Sequence, residues 1–176
     1  MIKRAGFSLI ELMVSISILS IMMLFLYQSY ASLNKSNAFY KVEVDKIITK
    51  DRLKEILFLD FSLALHKSIK ILNQEKDEDI VFMQSSKSLH KNYNPYIAYV
   101  IKDKKLYRLE SLTKFKEYPF SSDALFSVDF LTDLEGFRVY KSDRKINKII
   151  PEVYLVHLNF KDNKDILLKV KVLNES

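Results

Sequence analysis

The polar and apolar positions of the chain fall into three regimes. Residues 7–30 are apolar with one charge, Glu11, and positions 12–34 carry no charged side chain at all. A run of that length predicts a membrane-spanning helix, which needs about 20 residues. From Lys35 charges return, and Ala38, Val42, Ile48, Arg52, Ile56 and Leu59 fall near one helical stripe, with Phe39 and Leu53 beside it. The first proline is Pro95 and the glycines are Gly6 and Gly136, so nothing between Phe7 and Asn94 forces a helix to stop. The pattern therefore predicts one helix from Phe7 to about Leu59, roughly 80 Å long at 1.5 Å per residue. Its second half is amphipathic and needs a partner surface.

Beyond Leu59 the grammar changes. Phe61, Leu63, Leu65, Ile69 and Leu72 are compatible with a second short helix, and residues 74–79 form a charged turn. Strands follow at 80–83, 96–101 and 106–109, the last two joined by the polar turn Lys102-Asp103-Lys104-Lys105. Further strands are predicted at 125–130 and 137–140, with Gly136 in a turn that calls for positive φ. Residues 153–160 and 166–173 form a second hairpin that closes the same antiparallel sheet, one face of which rests on the amphipathic helix. The most polar loop is 85–94. The fold class is thus α+β: a long helix on an antiparallel sheet.

A carboxylate inside an apolar span costs roughly 2.5–3.5 kcal/mol on insertion scales, so Glu11 calls for a use. Cleavage after Gly6 would give Phe7 a new α-amino group one turn from Glu11. In an assembly of packed helices, the acid of one subunit would meet the terminal amine of its neighbour. Such a pair sets register between subunits better than it adds stability.

The stretch Lys3-Arg4-Ala5-Gly6-Phe7-Ser8-Leu9-Ile10-Glu11-Leu12 resembles the processing site of the type IV pilin and pseudopilin superfamily. The resemblance implies a basic leader (Lys3, Arg4), cleavage between Gly6 and Phe7, N-methylation of Phe7 and an assembly role for Glu11. It divides the chain into a leader at 1–6, a transmembrane helix at 7–30, its amphipathic continuation at 31–59 and an extracytoplasmic pilin-like β domain at 60–176. The implied partners are prepilin peptidase/N-methyltransferase, other major and minor pseudopilins, the inner-membrane assembly platform with its ATPase, and lipid. The implied location is the bacterial inner membrane, N-terminus in the cytoplasm.

More loosely, Ala98-Tyr99-Val100, Leu106-Tyr107-Arg108, Gly136-Phe137-Arg138 and Pro151-Glu152-Val153 resemble minor pseudopilins of the J type in type II secretion. The span lacks the proline common in major type IVa pilins, and without cysteine the disulfide-bounded loop of many pilins cannot form. Two other readings of the N-terminus stay open. One is an uncut signal anchor. The other is a secretory signal cut near Ser29-Tyr30-Ala31, although residues 7–27 exceed the usual 7–15-residue apolar core.

Composition adds limits. The chain has 176 residues, twelve Phe and ten Tyr, enough for one folded domain beside the helix. Absent cysteine excludes disulfides, thiolate zinc sites and a lipoprotein anchor. His66, His90 and His157 make no ligand spacing, and Asp77-Glu78-Asp79 lacks the alternation and glycine of a calcium loop. No phosphate loop or serine elbow exists. No enzyme, metal or cofactor is expected. The net charge of +6 keeps DNA open as a partner. Lys102, Lys104, Lys105 and Arg108, with Lys114, Lys116 and residues 138–148 beyond them, interleave with Tyr107, Phe115, Tyr118 and Tyr140. These residues make up a candidate basic, aromatic surface for a DNA-uptake machine.

Overall fold

The structure is a computed structural model that describes residues 8–73, 77–121, 124–142, 152–161 and 165–173. The chain divides into two units, Met1–Thr49 and Lys50–Ser176. Helix α1 covers Leu9–Ser62, 54 residues. Within the first unit it carries exposed apolar side chains along its length, from Leu9 to Ile48.

In the second unit the last turns of α1 bury Leu53, Ile56, Leu57, Asp60, Phe61 and Ser62. These positions repeat at three- and four-residue intervals, as one helix face must. The face differs from the predicted stripe: Arg52 is exposed and Leu59 half-buried. An aspartate sits in the middle of the true stripe and breaks its apolar period. The helix stops without glycine or proline. Instead, strand ends meet its last carbonyls. Leu173 N donates to Ser62 O at 2.8 Å and Ser86 N to Leu63 O at 3.1 Å. These contacts cross long stretches of chain, which is why the local sequence does not mark the end.

No second α-helix follows among the described residues. Residues 70–72 form a short strand instead, because Ala64 and Leu65 are drawn into bridges with Ser85 and Gln84. The strands are β1 (Lys70–Leu72), β2 (Ile80–Gln84), β3 (Tyr96–Lys102), β4 (Lys105–Ser111), β5 (Ser127–Asp133), β6 (Gly136–Ser142), β7 (Val153–Asn159) and β8 (Ile166–Lys171). They make two sheets rather than the single one expected. One is five-stranded, in the order β1-β2-β3-β4-β5, and the other is β6-β7-β8. All sheet neighbours are antiparallel and adjacent in sequence. The α+β class, a long helix packed with antiparallel sheet, is as the pattern predicts.

The main core joins Leu53, Leu57 and Phe61 of α1 to Val81, Ile97, Tyr99 and Leu106 of the larger sheet and to Phe137, Tyr154, Val156 and Val170 of the smaller. Period-two alternation sends Ile80, Phe82, Ala98, Val100 and Leu109 to the opposite face of the larger sheet. There Phe115, Phe120 and Phe126, from the segment between β4 and β5, cover them with stacked and tilted ring contacts.

Two backbone expectations resolve differently. Gly136 has no positive φ. It is needed for close approach, since a Cβ there would lie 3.3 Å from the Cβ of Asp77 and 3.4 Å from its carbonyl oxygen. At the β3–β4 turn positive φ falls on Asp103 (53°) and Lys104 (58°), the two central residues between Lys102 and its partner Lys105. This is the two-residue hairpin geometry that favours Asp-Gly. A non-glycine residue in this conformation costs roughly 1–2 kcal/mol. Lys104→Gly is therefore expected to raise stability by about 0.5–1 kcal/mol after the added unfolded-state entropy is discounted. Urea midpoints of the two proteins check this.

Candidate functional site

The first turn of α1 is built by a reciprocal pair. Ser8 Oγ accepts from Glu11 N at 3.3 Å, while Glu11 Oε2 accepts from Ser8 N at 2.8 Å and from Ser8 Oγ at 3.0 Å. This is a capping box: a serine at the N-cap and a glutamate three residues on satisfy two orphan amides of the helix start. The Ser-x-x-Glu spacing of the motif is present in the sequence, set in an apolar run that makes the acid read as a cost rather than as a cap. Further along, Ser15, Ser17 and Ser20 donate to the carbonyls of Glu11, Met13 and Ile16 at 2.7–2.8 Å. Their hydroxyls are thereby satisfied within the helix, as a helix lying in hydrocarbon would require. Lys3, Arg4, Gly6 and Phe7 lie outside the described residues.

A second constellation, not anticipated, lies inside the β domain. Arg108 on β4 is 0 % exposed and Glu110, on the same strand, 1 %. Arg108 Nε donates to Asp60 Oδ2 at 2.7 Å and Nη1 to Glu110 Oε2 at 2.7 Å. The Tyr99 hydroxyl donates to the same Asp60 oxygen. Glu110 also accepts from Ser88 Oγ, from Leu89 N at 3.0 Å and from Asn92 Nδ2 at 2.8 Å. Among the described residues no buried side-chain nitrogen or oxygen lacks a partner, as a stable polar cluster in a core demands.

Burial pushes the Asp60 carboxyl above its usual range and the Tyr99 hydroxyl well above its own. Arg108 moves upward although burial opposes it, because Asp60 and Glu110 hold the cation. Burial also opposes ionisation of Glu110, but the donors from Ser88, Arg108, Leu89 and Asn92 outweigh it and pull the group down to about 2. An acid lowered in the folded state stabilises above its unfolded pKa, and that stability is lost as pH falls toward the folded value. The drop from 4.5 to about 2 corresponds to roughly 3 kcal/mol. Wild-type stability relative to Glu110→Gln is therefore expected to shrink by about that amount between pH 5 and pH 2. Asp60 works in the opposite sense and is pushed up less in the glutamine variant, because the charge of Glu110 is one of the causes that raise it. Urea unfolding of the detergent-solubilised chain across this range measures the difference.

The burial of Arg108 corrects the candidate nucleic-acid surface: this cation faces the core and the end of α1. Phe115 is buried as well, and Arg138 is clamped by Asp77 at 2.6 Å and Asp79 at 3.1 Å. Lys102, Lys104 and Lys105 do cluster at the β3–β4 turn, but Lys104 pairs with Glu135 at 2.6 Å and Lys105 lies opposite Asp133. The turn is thus of mixed charge. Arg144, Lys145 and Lys148 lie outside the described residues.

The histidines are scattered, with His90 on Asp129 and His157 on Asp165, each at 2.9 Å. Among the described residues no three His, Asp or Glu gather as metal ligands. Asp77 and Asp79 instead fasten the approach to β2 onto β6: Asp79 accepts from Val139 N at 3.0 Å, and Asp79 N donates to the Phe137 carbonyl at 2.9 Å.

Residues 1–27 match the family model described as the prokaryotic N-terminal methylation motif. The chain thus carries the amino-terminal motif of prepilin-processed, type IV pilin-like proteins. Comparison with curated proteins and with solved structures finds no match. A single N-terminal helix long and apolar enough to cross a membrane, joined to this motif, is consistent with a membrane-anchored protein.

Proposed function

We propose that the chain is a structural subunit of a pilin-like filament, most like a minor pseudopilin of a type II secretion pseudopilus or a type IV pilus-like fibre. Prepilin peptidase cuts between Gly6 and Phe7 and methylates the Phe7 amine. Before cleavage Lys3 and Arg4 hold the leader in the cytoplasm, and the β domain lies beyond the inner membrane. An assembly platform and its ATPase then lift the subunit into a bundle of helices, where Glu11 meets the terminal amine of a neighbour. The role is structural rather than catalytic.

The observation that carries this reading is the methylation motif at residues 1–27, with Glu11 in the first turn of the apolar helix. Intact-mass and N-terminal peptide analysis of protein extracted from membranes tests it. The expected terminus is N-methylated Phe7, and Gly6→Val is expected to leave the full leader in place. A wild-type chain that still begins at Met1 or Ile2 returns the protein to the class of uncut signal anchors.

A further inference from the structure

Strands β2 and β3 are paired up to Gln84↔Tyr96 and joined by residues 85–95. Hairpin connections usually need only about two to five residues. The longer connection is a built object. Its ends are closed by Ser85 N donating to the Pro95 carbonyl at 3.2 Å, and Gln84 Nε2 donates to the Asn94 carbonyl at 3.0 Å. From inside, Glu110 accepts from Ser88, Leu89 and Asn92, and Ser88 Oγ accepts from His90 N at 3.1 Å and Asn92 N at 2.8 Å. His90 is tied to Asp129 of β5. Lys91 and Asn94 are held at φ 62° and 44°. Strained backbone of this kind persists only where its surroundings impose it. Closed, self-packed loops of this kind are frequently functional.

The loop holds one large side chain out of the fold. Tyr93 is 88 % exposed, with its hydroxyl and ring both in solvent. Residues 85–95 contain Lys87 and Lys91 and no acid. The nearby carboxylates are already engaged, Glu110 in the core and Asp129 by His90. Rigid presentation of a tyrosine lowers the entropy lost on docking, and tyrosine is among the residues that dominate interface energies. We propose that residues 85–95 form a pre-organised recognition loop. Tyr93 is its anchor, Lys87 and Lys91 its flanking cations, and the occupant is an acidic surface of a different protein with a pocket for the phenol ring. Charge chooses this occupant over a second copy, because the chain itself carries +6. Arg108 and Glu110 act as positioning residues: they shape the loop from beneath without reaching the partner. The proposal does not depend on the filament reading.

The test uses the full chain at its native level in its host, with a photoreactive benzoylphenylalanine replacing Tyr93. The control carries the same group at Leu167, an exposed residue of β8 at 64 %. The expected result is an adduct at position 93, about tenfold above the control, with a second protein through a peptide rich in Asp and Glu. Lys87→Glu with Lys91→Glu is expected to reduce the yield about fivefold or more, and exchanging the partner's acids for lysine to restore it. Ser88→Ala with Asn92→Ala removes the two side-chain bonds from the loop to Glu110 and leaves that of Leu89 N, without touching an exposed anchor, and is expected to lower the yield about threefold while the melting of the β domain stays cooperative. The proposal is overturned by a yield no higher than at Leu167, by adducts with phospholipid or with a second copy of this chain, by indifference to charge reversal, or by full yield from the Ser88/Asn92 variant.

Discussion

Asp60→Ala is expected to destabilise the β domain by about 3–5 kcal/mol, the largest loss from any single change outside the apolar core. The reason is the asymmetry of buried charge. Removing one partner of a buried ion pair leaves the other without compensation in a medium that cannot solvate it. Arg108 is wholly buried and would keep Glu110 and the longer contact to Asp129 at 3.7 Å, while the Tyr99 hydroxyl would lose its acceptor. Replacing the group together should be far milder. Asp60→Leu with Arg108→Met and Tyr99→Phe removes every member that depends on Asp60, and Glu110 retains its donors from Ser88, Leu89 and Asn92. This triple variant is expected to recover most of the loss. Denaturant unfolding of the single and triple variants checks both. Equal losses in the two would mean that packing at these positions, not the ion pair, carries the effect.

Glu11→Ala is expected to leave membrane insertion intact and to abolish incorporation into filaments. Insertion should become slightly easier, since an acid costs roughly 2.5–3.5 kcal/mol at the centre of a span and less in its first turn, where Glu11 lies. The capping box gives this residue a second role, and Glu11→Gln separates the two. Glutamine also serves at the third position of a capping box, so the helix start with Ser8 is preserved, but the charge for a neighbour's amine is gone. Both variants should therefore fail to assemble. Membrane fractionation followed by immunoblotting of sheared filaments reads the outcome. Normal assembly of the glutamine variant would assign Glu11 to capping alone.

Much of the fold was legible because it rests on local pattern. The apolar run, the β3–β4 hairpin and the β7–β8 hairpin each announce themselves through period and turn residues. What stayed hidden depends on contacts far apart in sequence. Nothing local marks Asp60, because its partners, Tyr99 and Arg108, lie about 40 and 50 residues away. Arg108 read as a surface cation because alternation in β4 places it on the same face as Leu106, and only the acid on α1 explains why that face is the core. The break into two sheets was equally obscure, since Gly136 does its work by contact with Asp77 rather than by its own φ. At the candidate site, the carboxylate at Glu11 was legible and its pairing with Ser8 was not, although the spacing was present.

Every strand in both sheets is hydrogen-bonded to the strand next to it in the chain. Loop closure between such neighbours is brief, and topologies of this kind reach their native pairings without a long search. A polypeptide leaves the ribosome one end first, and each hairpin here can zip as soon as its second strand is out. The bond from Leu173 to the end of α1 spans the longest stretch of chain among the long-range ties, because its two halves bracket the described strands. Closing that clasp must wait until β8 and the residues just after it have been made, so the helix end and the last strand of the domain are locked in one late step.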